Sequence, residues 1–145
     1  MNPTAHMTTG TERRAAHQLS GGGLVFRLGE EIEELRRDLR SSSGHRSAKT
    51  LAKAGSLRVT LVVLEANAAL EPEASGGGAT IQVLDGRLQV QTDGSVSELG
   101  PGELVVLEQN LREPIQAAER SAFLITVAWP EGRGAWSQEA AAGRL

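Results

Sequence analysis

Histidine and cysteine most often supply metal ligands, nucleophiles and general bases, and this chain is poor in both. It has 145 residues, no cysteine and three histidines, His6, His17 and His45. Without cysteine there are no disulfides, no thiolate catalysis and no sulfur-ligated zinc or iron. The histidines lack the short spacing of a metal-binding motif, so a metal would depend on scattered nitrogen and oxygen donors. His45, beside Arg46, could contact an anion or replace a metal ligand, but a lone histidine in a loop is more often polar surface.

Two other patterns that suggest chemistry lack essential parts. Gly76-Gly77-Gly78 offers consecutive backbone N–H groups to an anion, but the Gly-Lys-Ser/Thr of a nucleotide-binding loop is absent. We interpret this triplet as a loop between strands. Ser75 and Ser121 have no histidine and acid partners that would complete a catalytic triad. The sequence therefore predicts no catalytic residue.

Composition and charge argue against two classes of partner. The formal net charge is -3, and acidic and basic residues are interspersed, so no broad positive face is predicted for nucleic acid or anionic lipid. No apolar run approaches the roughly 20 residues that span a bilayer, and residues 1–6 lack the apolar stretch of a secretory signal. We expect no nucleic-acid partner, no membrane partner and a cytoplasmic location.

Short strands between glycine turns dominate the second half of the chain. Asp85-Gly86 and Pro101-Gly102 are dipeptides that turn a chain between strands. Because no ten-residue helical pattern separates these strands, a sandwich or barrel is favoured over a βαβ sheet. The predicted strands are residues 57–64, 79–84, 88–92, 96–99, 104–107 and 121–129.

An amphipathic helix is predicted before the strands. Its apolar face is formed by Leu28, Ile32, Leu35 and Leu39. Glutamates open the segment and arginines close it, which complements the helix dipole. We expect this face to pack on the barrel; alternatively it could recruit a partner, and the protein would then be an interaction module. We divide the chain into a flexible tail (1–23), a helical segment (24–43), a barrel (44–130) and a C-terminal tail (131–145).

The barrel segment resembles a small single-domain bacterial cupin of the RmlC-like type. The segments that carry the resemblance are residues 43–51, Thr80–Gly86, Leu99–Leu104 and Glu119–Leu124. The resemblance implies an all-β fold, a cupin-like double-stranded β-helix or jelly-roll barrel, with the predicted helix at its N-terminal side.

Cupins hold a metal with two histidines and a carboxylate or amide from a first motif and one histidine from a second. Counted from Gly86 and Gly102, the matching positions here are Glu73, Ala74 or Ser75, Ala79 and Glu113. Two carboxylates fall short of the three protein ligands of a usual catalytic transition-metal site. We therefore expect no metal and no other cofactor.

The leading hypothesis is a non-catalytic cupin that binds a small molecule inside the barrel. Its predicted pocket consists of Glu73, Ala79, Ile81, Val83 and Glu113, with the three aliphatic residues placed inward by strand alternation. A homodimer formed through an edge strand is expected, because exposed edges invite pairing.

The alternative is a metal-dependent cupin enzyme, an oxygenase or isomerase, with a rearranged carboxylate site. That site would use Glu73 and Glu113 with His45 or Gln82. The two glutamates could also form an acid–base pair, one raising the pKa of the other. Two solvated glutamates at the barrel mouth are the simpler interpretation.

Overall fold

The computed structural model describes residues 17–18, 22–71, 77–92, 94–108 and 113–128. The helix in these ranges is α1 (Leu28–Ser42), and the strands are β1 (His17–Gln18), β2 (Arg46–Ala54), β3 (Leu57–Leu64), β4 (Ala69–Leu70), β5 (Ala79–Asp85), β6 (Leu88–Thr92), β7 (Ser95–Leu99), β8 (Leu104–Leu107), β9 (Ile115–Ala117) and β10 (Ser121–Ala128). The predicted C-terminal tail, Trp129 and Glu73 lie outside the described residues.

Two sheets form the body of the protein. The larger has the order β1-β2-β3-β10-β5-β8, and the smaller has the order β4-β9-β6-β7. Strand β10 lies between β3 and β5 and is antiparallel to both, although the chain visits these strands far apart. Antiparallel pairing between strands that are far apart along the chain is typical of a jelly roll. The predicted all-β class with one N-terminal helix is confirmed.

The segment predicted as an N-terminal tail contains one short strand. His17 and Gln18 form β1, which pairs in parallel with Ala52 and Lys53 of β2. The backbone at these two residues therefore extends the edge of the larger sheet. Residues 1–16 and 19–21 of the predicted tail lie outside the described residues.

Strand β3 is buried on both faces in its second half. Residues Leu61–Leu64 are all at most 1% exposed. Because successive side chains of a strand point to opposite faces, Val62 and Leu64 enter the core between the sheets, whereas Leu61 and Val63 pack beneath the helix. This arrangement explains why the second half of β3 is a continuous apolar run.

Helix α1 covers the outer face of the larger sheet. Its buried apolar residues are Ile32, Leu35 and Leu39, and Leu28 packs against the same cluster. The predicted apolar face therefore contacts the sheet, so it is not available to dock a partner. The helix is capped at its C-terminus by Ser43, which has a left-handed φ of 60°. Within the described residues, no helix combines the length and the apolar character that a membrane crossing requires.

Two ion pairs fix the position of α1 on the sheet. The fully buried Nζ of Lys49 on β2 donates to the carboxylate of Glu31, and Glu34 Oε1 lies 3.9 Å from the same Nζ. At the other side of the helix, Arg36 Nη2 donates to Asp85 Oδ2 at 2.9 Å. Buried charges are tolerated in proteins when they are paired. These pairs therefore specify one position of the helix over β2 and β5.

Gly86 brings the turn after β5 against the start of β10. Its φ is +88°, and a Cβ built there would lie 2.2 Å from the carbonyl oxygen of Arg120. The buried Oγ of Ser121 accepts a hydrogen bond from the Arg87 N–H at 3.0 Å. Only glycine satisfies both the backbone conformation and this close approach.

Candidate functional site

A cavity of about 280 Å³ lies inside the barrel and is bounded by both sheets. Most of its walls are aliphatic. The lining residues are Ala48, Thr50, Arg58, Thr60, Val62, Leu70, Glu71, Ala79, Ile81, Leu107, Ile115, Ile125 and Val127. Leu70 and Ile115 come from the smaller sheet, so the cavity is the space between the two sheets. It is the kind of mainly apolar concavity that small-molecule sites use.

The outer row of the cavity wall consists of Arg58, Val127, Ala79 and Leu107. These residues lie opposite one another on β3, β10, β5 and β8. Directly opposed residues on neighbouring strands present their side chains on the same face of a sheet. The outer row therefore sets one cationic side chain beside three aliphatic ones.

The middle row consists of Thr50, Thr60, Ile125 and Ile81. These residues are paired in register across β2, β3, β10 and β5. The two threonines come from adjacent strands and the two isoleucines from the next two. The cavity wall is therefore polar on the side of β2 and β3 and aliphatic on the side of β10 and β5.

The inner row consists of Ala48, Val62, Phe123 and Val83, again paired in register. Ala48 and Val62 line the cavity. Phe123 and Val83 are fully buried members of the core between the sheets. Phe123, which lies opposite Val62 in register, thus belongs to the packed core next to this row of the cavity.

The four described residues of the predicted pocket do not share one location, and the fifth, Glu73, lies outside the described residues. Ala79 and Ile81 line the cavity, in the outer and middle rows. Val83 has the same inward orientation but lies in the packed core. Glu113 is exposed and does not line the cavity. The structure therefore places the aliphatic part of the prediction around the barrel interior and leaves Glu113 at the surface.

Sequence reasoning did not select the polar lining residues, which are Thr50, Arg58, Thr60 and Glu71. Alternation along β3 does place Arg58 and Thr60 on the same face as Val62. However, the opposite face of β3 is apolar along most of its length because α1 covers it. Alternation along this strand therefore does not by itself show which face is the inner one.

Charge is distributed unevenly around the cavity. Arg58 is half-buried, and it is the one cationic side chain among the described lining residues. Glu71 is exposed and also lines an adjoining hollow of about 290 Å³, together with Arg46, Ser47, Ala48, Val62 and Leu70. Arg58 does not line that hollow. The cationic and anionic groups therefore belong to different ends of the cavity.

The described residues do not fit the metal centre that the cupin resemblance suggests. Ala79 stands where that motif has a carboxylate, and it presents only a methyl group to the cavity. Gln82 is exposed on the opposite face of β5 from Ile81. His45 is exposed before β2, and its carbonyl oxygen accepts the Glu65 N–H at 2.9 Å. In the part of the chain that the structure describes, no three histidine, aspartate or glutamate side chains converge.

Comparisons with known proteins identify the fold. The sequence matches no protein-family model, and no curated protein matches it significantly. A cupin superfamily protein from Desulfitobacterium hafniense is 15% identical, with a TM-score of 0.56 over 60% of this chain and 80% of its own. A conserved protein of unknown function from Streptococcus pyogenes is 17% identical, with a TM-score of 0.59 over 81% of this chain and 97% of its own.

An enzyme is also among the similar structures. Salicylate 1,2-dioxygenase from Pseudaminobacter salicylatoxidans is 16% identical, with a TM-score of 0.61 over 71% of this chain. The match spans only 34% of the dioxygenase. At these identities the likeness is one of fold. The chain has the cupin fold, as the sequence resemblance predicts.

Proposed function

We propose that this protein uses its cupin barrel to bind a small, mainly apolar organic molecule and does not depend on a metal to do so. The observation that supports this proposal is the lining of the cavity, in which aliphatic side chains from seven strands surround about 280 Å³. That volume is near the lower end of the range for ligand pockets, about 300–1,000 Å³. The ligand is therefore compact.

The balance of polar and apolar groups sets how such a ligand binds. Burial of apolar ligand surface against Ile81, Ile125 and Val127 supplies most of the affinity, at about 25 cal/mol per Å². The hydroxyls of Thr50 and Thr60 and the guanidinium of Arg58 fix the orientation, as a few polar groups do in most ligand sites.

The alternative is a metal-dependent cupin enzyme, an oxygenase or isomerase. The structural similarity to salicylate 1,2-dioxygenase favours this alternative, but the similarity is limited to the fold. Ala79 in the carboxylate position and the exposed Glu113 disfavour it. Elemental analysis of protein purified without chelator and without a histidine tag separates the two functions. Stoichiometric iron, manganese, zinc or nickel that is lost in the Glu73→Ala/Glu113→Ala variant would establish the alternative.

A fragment screen by ligand-observed NMR tests the binding proposal directly. Ala79→Trp fills the outer row of the cavity, and Thr60→Phe fills the middle row from another strand. Val96→Trp adds an aromatic ring at an exposed position of β7 and serves as the matched control. We expect fragments that bind the wild type and Val96→Trp but neither filled variant. The proposal is overturned if no fragment shows this dependence on the cavity in variants that retain the wild-type near-UV circular dichroism.

A further inference from the structure

Arg58 occupies a distinctive position in the cavity wall. It lies in the outer row, on the inward face of β3, opposite Val127 and in the same row as Ala79. The wall across from it is aliphatic, and its side chain is neither fully exposed nor fully buried. This part of the cavity wall therefore sets a guanidinium directly beside aliphatic side chains.

The surroundings of Arg58 favour an anion. A guanidinium stays protonated under all physiological conditions. Its attraction to a negative charge is stronger beside apolar surface than in water, because fewer water molecules screen it. Arg58 already makes an interaction within the chain. A guanidinium has five N–H donors in a planar fork, so an intramolecular partner and a ligand carboxylate can both be accommodated.

The polar wall continues inward from Arg58. Thr60 follows Arg58 by two residues on the same face of β3, and Thr50 lies opposite Thr60 in register. Their hydroxyls are donors for a carboxylate oxygen that Arg58 does not satisfy. Beside them Ile125 and Ile81 continue the same row, and the smaller sheet contributes Leu70 and Ile115, all of which are apolar. The cavity therefore matches a molecule with one anionic group and a compact apolar body.

Glu71 does not oppose this arrangement. Its carboxylate is exposed and belongs to the end of the cavity that continues into the adjoining hollow. An exposed charge acts only weakly on groups beyond its immediate neighbours, because solvent and salt screen it. Arg46 lines the same hollow and offsets the charge of Glu71 there, whereas Arg58 is the one cationic side chain among the described residues that line the cavity itself.

We infer that the ligand of this cavity is an organic monocarboxylate with a compact apolar body, bound with its acid group on Arg58. The inference rests on the proposed binding function. It adds the chemical class of the ligand, the residue that selects it and the orientation in which it lies.

Isothermal titration calorimetry with matched acids and amides tests the inference. The probes are benzoate and 4-methylpentanoate, with benzamide and 4-methylpentanamide as neutral molecules of the same shape. We expect each acid to bind the wild type about ten- to a hundredfold more tightly than its amide, the usual value of a charged hydrogen-bonded pair. Arg58→Gln should weaken acid binding far more than amide binding and so remove this preference, whereas Arg58→Lys should keep part of it.

Arg46→Gln is the matched control, since Arg46 lines the adjoining hollow and not the cavity. This variant should retain the full preference for the acids. The inference is overturned if acids and amides bind equally, or if the preference persists in Arg58→Gln. If acids and amides bind equally well and Ala79→Trp abolishes binding of both, the ligand is not selected as an acid, but the protein still binds small molecules in this cavity. If neither probe pair nor any screened fragment binds in a cavity-dependent way, the binding function itself is overturned.

Discussion

Lys49 on β2 donates a hydrogen bond from a fully buried ammonium group to the carboxylate of Glu31 on α1. The rest of the contact between the helix and the sheet is aliphatic, formed by Leu35, Leu39 and Leu51 among others. Apolar contacts alone allow a helix to slide or rotate on a sheet at modest cost. A single buried charge pair restricts the helix to the position in which both charges are satisfied.

Lys49→Met should destabilise the protein by about 3–5 kcal/mol, because it leaves the Glu31 carboxylate without its buried cation. The double variant Glu31→Leu/Lys49→Met should recover most of this loss, since a buried ion pair and a well-packed apolar pair are often close in stability. Urea unfolding followed by circular dichroism measures both values. A loss of less than about 1 kcal/mol for Lys49→Met would show that the pair is not buried in solution.

Gly86→Ala and Gly102→Ala should differ sharply in their effects on stability. Both glycines have a left-handed φ, of +88° and +86°, so each substitution carries the backbone cost of about 1–2 kcal/mol. At Gly102 no other atom lies within 4 Å of the added Cβ. At Gly86 the Cβ would meet the Arg120 carbonyl oxygen at 2.2 Å.

We therefore expect Gly102→Ala to fold with a lowered midpoint in urea, and Gly86→Ala to be the more destabilised by at least about 2 kcal/mol. Comparable losses in the two variants would mean that the turn at Gly86 can move away from β10. Expression level and chemical unfolding of both variants, purified in parallel, provide the comparison.

The Arg36–Asp85 and Arg87–Glu119 pairs test how far exposure weakens an ion pair. Asp85 is more than half exposed, but Arg36 is nearly buried and the atoms are 2.9 Å apart. Arg87 and Glu119 are both about half exposed, at 3.8 Å. Double-mutant cycles should give a coupling free energy of about 0.5–1 kcal/mol for Arg36–Asp85 and close to zero for Arg87–Glu119. A coupling for Arg87–Glu119 as large as that for Arg36–Asp85 would contradict this order.

Homodimer formation through an edge strand stays a prediction of the sequence. Strand β8 is at the edge of the larger sheet, and Leu104 and Val106 are exposed on it, at 53% and 68%. Val106→Lys should weaken self-association at least about tenfold, because charged residues on edge strands oppose pairing. Gln89→Lys, on a strand with neighbours on both sides, is the control. Sedimentation of the wild type as a monomer at all concentrations would refute the homodimer.

Sequence patterns predicted the regular elements with strong periodicity. The helix, with its apolar face at Leu35 and Leu39, and the strand β6 occur where they were predicted. Strands β4 and β9 were not predicted, because two or three residues are too few to establish alternation. Their position depends on pairing with each other and on contact between the sheets, which is information from distant parts of the chain.

The cavity was harder to predict than the fold for a related reason. Alternation correctly groups Ala79, Ile81 and Val83 on one face of β5, but it does not show how far along the barrel each of them lies. That position follows from the register of β5 against β10, which places Val83 opposite the fully buried Phe123 and Ala79 opposite Val127 in the outer row. Arg58 was not selected because a charged side chain at a strand start is ordinarily exposed.

Strand β3 separates the cavity from the layer in which helix α1 packs on the sheet, and this affects where substitutions can reshape the cavity. Each residue of Leu61–Leu64 is buried, either in the core between the sheets or beneath the helix. A change of side-chain volume there therefore disturbs the packing of one of these two layers. Arg58 and Thr60 line the cavity and are only partly buried. Substitutions that change which molecules the cavity admits should therefore be better tolerated in the first half of β3, at positions 58 and 60, than in its second half.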